Sequence, residues 1–334
     1  MTKTDRTARL CAGLMFAGLV AGAGRATAAD DEPTIMKDFV RVKAHDDNKD
    51  PGAWVPEIAF RVNGPISSGS QLSAEFSLPT KPKWVEFDCD TGEIKKGEWW
   101  SVTCLADVEK AASFVGTVGF TIRMRNELNG TNAALFTGKA KVVKVPRYAG
   151  SKSFYYYVDD DWTIPIGYVY FRDFEGRGST DLKVGFWYRG APPTNSCHLF
   201  YQGKEIAKDS NGGNDAGSWD PSEYKWGMEE CQFQGVYQTQ HEADNGEDPK
   251  FSLDKNPGEY EVKVLVVNKL ARSIKFTVDA NGSFDTGIAT ANKLGSDRVI
   301  VPVKVIGNQG PWDQTAWKTG AFYGNPLTGF TPAP

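Results

Sequence analysis

Residues that carry chemistry in recognisable patterns are scarce in this chain. Histidine occurs three times, at His45, His198 and His241, and none belongs to a His-Glu-x-x-His pair. There is no Gly-x-Ser-x-Gly elbow, no phosphate-loop glycine pattern and no dinucleotide fingerprint. These absences argue against catalysis that depends on such motifs. A carboxylate pair acting on a glycoside is not touched by them, because its two members come from distant positions and leave no local signature. No basic run is present, and the acidic residues outnumber the basic ones, 42 to 38. Nucleic acid, which wants a basic face, is therefore not an expected partner. No stretch shows convincing helical periodicity, although "LADVEKAAS" has room for a turn or two. Beyond the N-terminus, no apolar run approaches the length of a membrane-spanning helix.

The N-terminus itself reads as an export signal. "MTKTDRTAR" supplies Lys3, Arg6 and Arg9, "LCAGLMFAGLVAGA" is an apolar run, and Ala26-Thr27-Ala28 is a small-x-small cleavage site. We expect residues 1–28 to be removed. Cys11 sits at the start of the apolar run, the wrong place for a lipid-anchored cysteine. The mature chain then carries 34 basic and 41 acidic side chains, a net charge of −7. Its destination is the periplasm, the cell surface or the medium.

Four cysteines remain: Cys89, Cys104, Cys197 and Cys231. An even count in an exported protein reads as disulfides. With no Cys-x-x-Cys knuckle, a zinc site is disfavoured. Three pairings are open on paper. The layout of the chain selects Cys89–Cys104 and Cys197–Cys231.

That layout is visible in two hairpins. In "PGEYEVKVLVVNKLARSIKFTV", Tyr260, Val262, Val264 and Val266 alternate with Glu261, Lys263 and Leu265; after a turn around Asn268, Ile274, Phe276 and Val278 alternate with Lys275 and Thr277. Period two places these side chains on opposite faces of a sheet. "GTVGFTIRMRNELNGTNAALFTGKAKVVKV", residues 116–145, repeats the scheme with Asn129-Gly130 in its turn. Each hairpin follows a cysteine pair. The expected fold is all-β: two tandem immunoglobulin-like β-sandwich domains with one disulfide each, over residues 29–147 and 148–308. "VPRYAGSKS" marks the boundary. "FYYYV" would open the second domain. "RVIVPVKVIG" would close it as an edge strand, because Pro302 lacks a ladder donor. Residues 309–334 form an aromatic, Pro/Gly-rich tail, expected to pack back on the second domain or to serve as an interaction segment.

Three sets of residues could bind something. The runs Asp46–Asp50, Asp159–Asp161 and Asp209–Asp220 offer oxygens, but none matches the twelve-residue calcium loop. No cofactor is expected, with weak calcium as the one open case. The long loop between Cys197 and Cys231 carries Trp219, Tyr224 and Trp226 beside Asp215 and Asp220. Flat rings next to carboxylates suit a sugar or a peptide. In Trp99-Trp100 and Phe186-Trp187-Tyr188, one ring of each set should be core, since neighbours in a strand point to opposite faces. Asn129-Gly130-Thr131 and Asn281-Gly282-Ser283 read as sequons or as plain Asn-Gly turns. The expectation is an exported, non-enzymatic protein that binds a glycan, a protein or an envelope component. The alternatives are an exported hydrolase with paired carboxylates and a purely structural envelope protein.

Overall fold

A computed structural model describes residues 33–47, 52–95, 99–147, 150–173, 180–190, 195–209, 226–246, 248–294, 298–307 and 310–334. The expected signal segment lies outside the described residues. Strand dominates. The first half contains β1 (Thr34–Ile35), β2 (Arg41–Asp46), β3 (Trp54–Asn63), β4 (Ser70–Leu78), β5 (Lys81–Asp88), β6 (Asp90–Lys95), β7 (Trp99–Leu105), β8 (Gly116–Asn126), β9 (Thr131–Pro146) and β10 (Phe154–Val158). The second contains β11 (Ile166–Asp173), β12 (Thr180–Arg189), β13 (Asn195–Tyr201), β14 (Lys204–Lys208), β15 (Trp226–Phe233), β16 (Val236–Tyr237), β17 (Phe251–Ser252), β18 (Gly258–Val266), β19 (Lys269–Val278) and β20 (Val299–Val305). Among the described residues, besides three single 3-10 turns, the α-helical segments are α1 (Gln240–Asn245), α2 (Gly287–Ala291) and α3 (Trp317–Gly324). Among the described residues no helix is long and apolar enough to cross a membrane, which says nothing of a β-barrel.

In the first half, one sheet runs β1-β3-β7-β6 with β2 also on β3, and the other runs β10-β9-β8-β4-β5. Alternation explains how they meet. Ile58, Phe60 and Val62 of β3 and Leu72, Ala74 and Phe76 of β4 are all buried in one cluster, so the apolar faces of the two sheets share a core. Cys89 lies where the chain leaves β5 for β6 in the other sheet, and it is bonded to Cys104 of β7. Phe154–Val158, expected to open the second half, instead pairs with β9 and forms an edge of the first half's sheet. The acidic segment around His241 is α1, whose Thr239 and Glu242 form a reciprocal capping box.

In the second half, eight strands follow the order β14-β13-β18-β19-β20-β11-β12-β15. Cys197 of β13 is bonded to Cys231 of β15, so the two ends of this order fold back to face each other. The reversal occurs at β20. Its first residues, Val299–Pro302, pair with β11, and Val303–Val305 pair with β19. Pro302 therefore does not mark an edge strand, as its missing donor implied. It sits inside the sheet order, at the crossover where the strand changes partners and one ladder bond is dispensable. The late hairpin forms as expected, β18 pairing with β19. Its two-residue turn has Val267 at φ 48° and Asn268 at φ 59°, the geometry that matches the twist of the flanking strands.

The outer face of β11, β12 and β20 is not left to water. Ile166, Tyr168, Trp187 and Ile300 are buried in the same cluster as the first half's core. Phe186, Trp187 and Tyr188 are consequently all buried, not one face of the three, because both faces of β12 are covered.

The tail is anchored in that shared core, not on the second half's own cluster. Inside α3, Ala321 turns to extended backbone, and Phe322 and Tyr323 take φ of 49° and 59°. This break drives both rings inward, 5.1 Å and 5.4 Å from the Trp162 ring. Tyr323 also meets Phe120 edge-on at 5.6 Å, and its Oη accepts from the Val42 N–H at 2.9 Å. Gly138 makes the room: a Cβ there would stand 2.5 Å from the Phe120 ring and 2.9 Å from the Tyr323 Cβ.

Candidate functional site

Of the residues expected to bind, Trp219, Tyr224, Asp215 and Asp220 lie outside the described residues. Trp226 is described, and it opens β15 opposite Arg189, the last residue of β12. The Arg189 guanidinium carbon is 5.5 Å from the Trp226 ring centroid, a cation–π distance. Arg189 also donates to the Pro311 carbonyl, which ties the start of the tail to this end of the sheets. The Trp226 Nε1 is buried with no hydrogen-bond partner among the described residues.

Four further polar residues converge at the same end, on the inner face. In β19, Arg272 shares parity with the buried Ile274, Phe276 and Val278, and it has no exposed surface. Its Nη1 donates to the carbonyls of Ala271 (2.9 Å) and Gly307 (2.7 Å). Its guanidinium lies 4.4 Å from the Tyr188 ring centroid. Burial lowers the Arg272 pKa to about 10. Tyr188 is pushed up to about 12, again by burial, and its Oη has no partner among the described residues. Glu229 shares parity with Cys231, and burial holds its carboxyl above the ordinary range. Asn195, two residues before Cys197 on the inner face of β13, finds no partner for its Nδ2 among the described residues. An unsatisfied buried polar atom costs about 1–3 kcal/mol. Two such side chains at one end of a core, Tyr188 and Asn195, are thus a standing cost that a hydrogen-bonding ligand would relieve.

A second polar group lies on the outer face of β11, β12 and β15. Lys183, only 4% exposed at its side chain, pairs with Glu230 at 2.8 Å and donates to Gln232 Oε1 at 2.6 Å. Tyr170 donates to Glu230, and Gln232 donates to Asp181. This network is internally paired, so it fixes these three strands to one another.

Among the described residues, the acidic runs weighed for metal do not gather into a site; residues 48–50 and 210–220 lie outside them. Asp46 pairs with Arg147 at 2.7 Å, and Asp47 accepts from the Ala53 N–H at 2.9 Å. Asp159 pairs with Lys141, Asp160 accepts from Trp162 Nε1, and Asp161 accepts from the Asp313 N–H. Each carboxylate of the Asp159–Asp161 run is thus turned to a different partner. Asp209 lies near Cys197 and Cys231, but their sulfurs are bonded to each other and carry no thiolate. His198 faces Glu205 at 3.2 Å, and His45 faces Glu57 at 3.4 Å. At both Asn-Gly sites, Gly130 (φ 69°) and Gly282 (φ 77°) take the left-handed turn conformation.

Sequence reasoning singled out Trp226 at this end of the second half, and it did not single out the buried polar atoms of Tyr188, Asn195, Glu229 and Arg272. A signal was present: Arg272 and Glu229 are charged residues at core parity within otherwise apolar alternations. Comparison with family models, curated proteins and solved structures finds no match for this chain.

Proposed function

We propose that this is an exported, non-enzymatic recognition protein that binds a glycan, protein or envelope component at the Trp226–Arg189 end of its second half. The carrying observation is the pair of buried polar atoms on the inner face there, Tyr188 Oη and Asn195 Nδ2, without partners among the described residues, with Trp226 and Arg189 on the other face of the same strand ends. The two disulfides support export, because such bonds persist in oxidising compartments. The same reading takes the halves as tandem immunoglobulin-like sandwiches, supported by a disulfide in each. The hydrolase alternative needs two carboxylates facing one cleft. Glu229 and Glu230, as strand neighbours, point to opposite faces and do not form that pair.

The test is a glycan array followed by calorimetry with the strongest hit, comparing the wild type with Trp226→Ala. Loss of an aromatic hot spot should weaken binding by about 2 kcal/mol while thermal stability stays close to wild type. A large fall in melting temperature with unchanged affinity would make Trp226 a structural plug and defeat this reading.

A further inference from the structure

The tail and strands β19 and β20 border two adjoining cavities of about 500 Å³ and about 650 Å³. Residues Thr331–Pro334 wall both, so the two form one groove divided by the last turn of the tail. Each cavity falls in the range that holds a ligand of drug size.

The lining is unlike the rest of the molecule. Acidic residues outnumber basic ones in the chain, yet among the described residues no carboxylate side chain lines either cavity, whereas Lys275, Lys304 and Lys318 do. Glu261 stands opposite Lys275 in the β18–β19 ladder. Glu261 accepts from Ser273 Oγ at 2.6 Å and pairs with Lys263, and Asp313 accepts from the backbone and hydroxyl of Thr315. The apolar part of the wall is Trp312, Trp317 and Ile306, the last 45% exposed. The tail side chains there are threonine, proline and alanine.

We propose that this groove is a second binding site, and that it takes an anionic oligosaccharide. The lysine ammonium groups supply point charges for carboxylate or sulfate groups. The two half-buried indoles supply flat apolar faces for sugar rings, and the exposed Gln314 amide offers both a donor and an acceptor for hydroxyls. An acidic peptide would use the lysines equally well but would leave the paired indoles without a matching flat surface.

The experiment is a titration of the full chain with an oligogalacturonide, a sulfated oligosaccharide, a neutral cello-oligosaccharide and polyglutamate, followed by calorimetry. We expect saturable binding of at least one anionic sugar, weakened by salt. Exchanging Lys304→Gln and Lys318→Gln together should weaken it about tenfold, because two rim charges are lost. Trp312→Ala should weaken it by a similar factor, and Trp226→Ala should leave it unchanged, which separates this site from the one proposed above. Carboxylate and sulfate sources are distinguished by which anionic sugar binds more tightly. Absence of saturable binding, equal binding of the neutral sugar, or polyglutamate binding that ignores Trp312→Ala would each overturn the proposal. If Trp312→Ala melts early, the lysine exchange, at exposed positions, still decides the matter.

Discussion

Asp160 shows how a single buried residue sets the response of the protein to pH. It is 8% exposed, and burial pushes its carboxyl up to about 7 against the pull of Arg41 and the Trp162 hydrogen bond. The group ionises near 4 when unfolded, so the native state holds the proton more tightly. Its contribution is therefore most favourable below about pH 4, declines as pH rises towards about 7, and is level above that. The full shift corresponds to a ceiling of about 4 kcal/mol. Asp161 and Glu229 are also held high, chiefly by burial, and act in the same direction. Glu86, Asp279 and Asp313 are held low by hydrogen bonds from Lys83, Ser283 and Thr315, and they act the other way only in the acid range. We expect wild-type stability, measured by denaturant melts, to fall between about pH 5 and about pH 8. Asp160→Asn should remove most of that slope. An unchanged slope in the variant would assign the effect to other groups.

Elements are held by local rules that sometimes carry strain. The β18–β19 turn requires two left-handed residues, and a β-branched one, Val267, occupies the first. Its side chain is 67% exposed, so little packing depends on it. Val267→Asn should therefore stabilise by about 1 kcal/mol, seen as a higher melting temperature. No gain would mean that the valine side chain contributes more than its exposure implies. Within β9 the opposite holds. Gly138 faces the Phe120 ring and the Tyr323 Cβ, and an added methyl has no open space. Gly138→Ala should destabilise by about 1–3 kcal/mol, the cost of overpacking. A neutral result would show that α3 shifts freely.

At the scale of the whole molecule, the buried pair Asp38–Arg298 joins residues 260 positions apart. Arg298 also lies 3.6 Å from the Phe39 ring centroid and 4.0 Å from that of Tyr168. Together with the Tyr323–Val42 bond, these contacts fasten the start and end of the described chain to one core. A fragment covering residues 33–158 keeps every strand of the first half's sheets and Cys89–Cys104. It loses Trp162, Tyr168, Trp187, Phe322 and Tyr323 from its core cluster. We expect it to bind a hydrophobic dye and to melt well below the full chain, since each large buried ring contributes about 1.5–3 kcal/mol. Native-like amide dispersion with no dye binding would show that the first half folds without the tail.

The all-β class, the two hairpins and most strand positions were legible in the amino-acid order, because alternation is a local property that each strand carries by itself. The disulfide partners were legible too, from one cysteine pair preceding each hairpin. α1 was legible in principle, through Thr239 and Glu242, although its acidic composition masked it. What alternation cannot report is what covers the second face of a strand. The burial of Trp187 along with Phe186 and Tyr188, the crossover at Pro302 and the docking of Tyr323 against Val42 depend on partners far away in sequence. They were decided when two sheet systems and the tail closed on one another. The same applies to binding: a tryptophan in a polar loop was visible as a residue type, but the meeting of Tyr188, Asn195, Glu229 and Arg272 exists only once four strands are brought to one end.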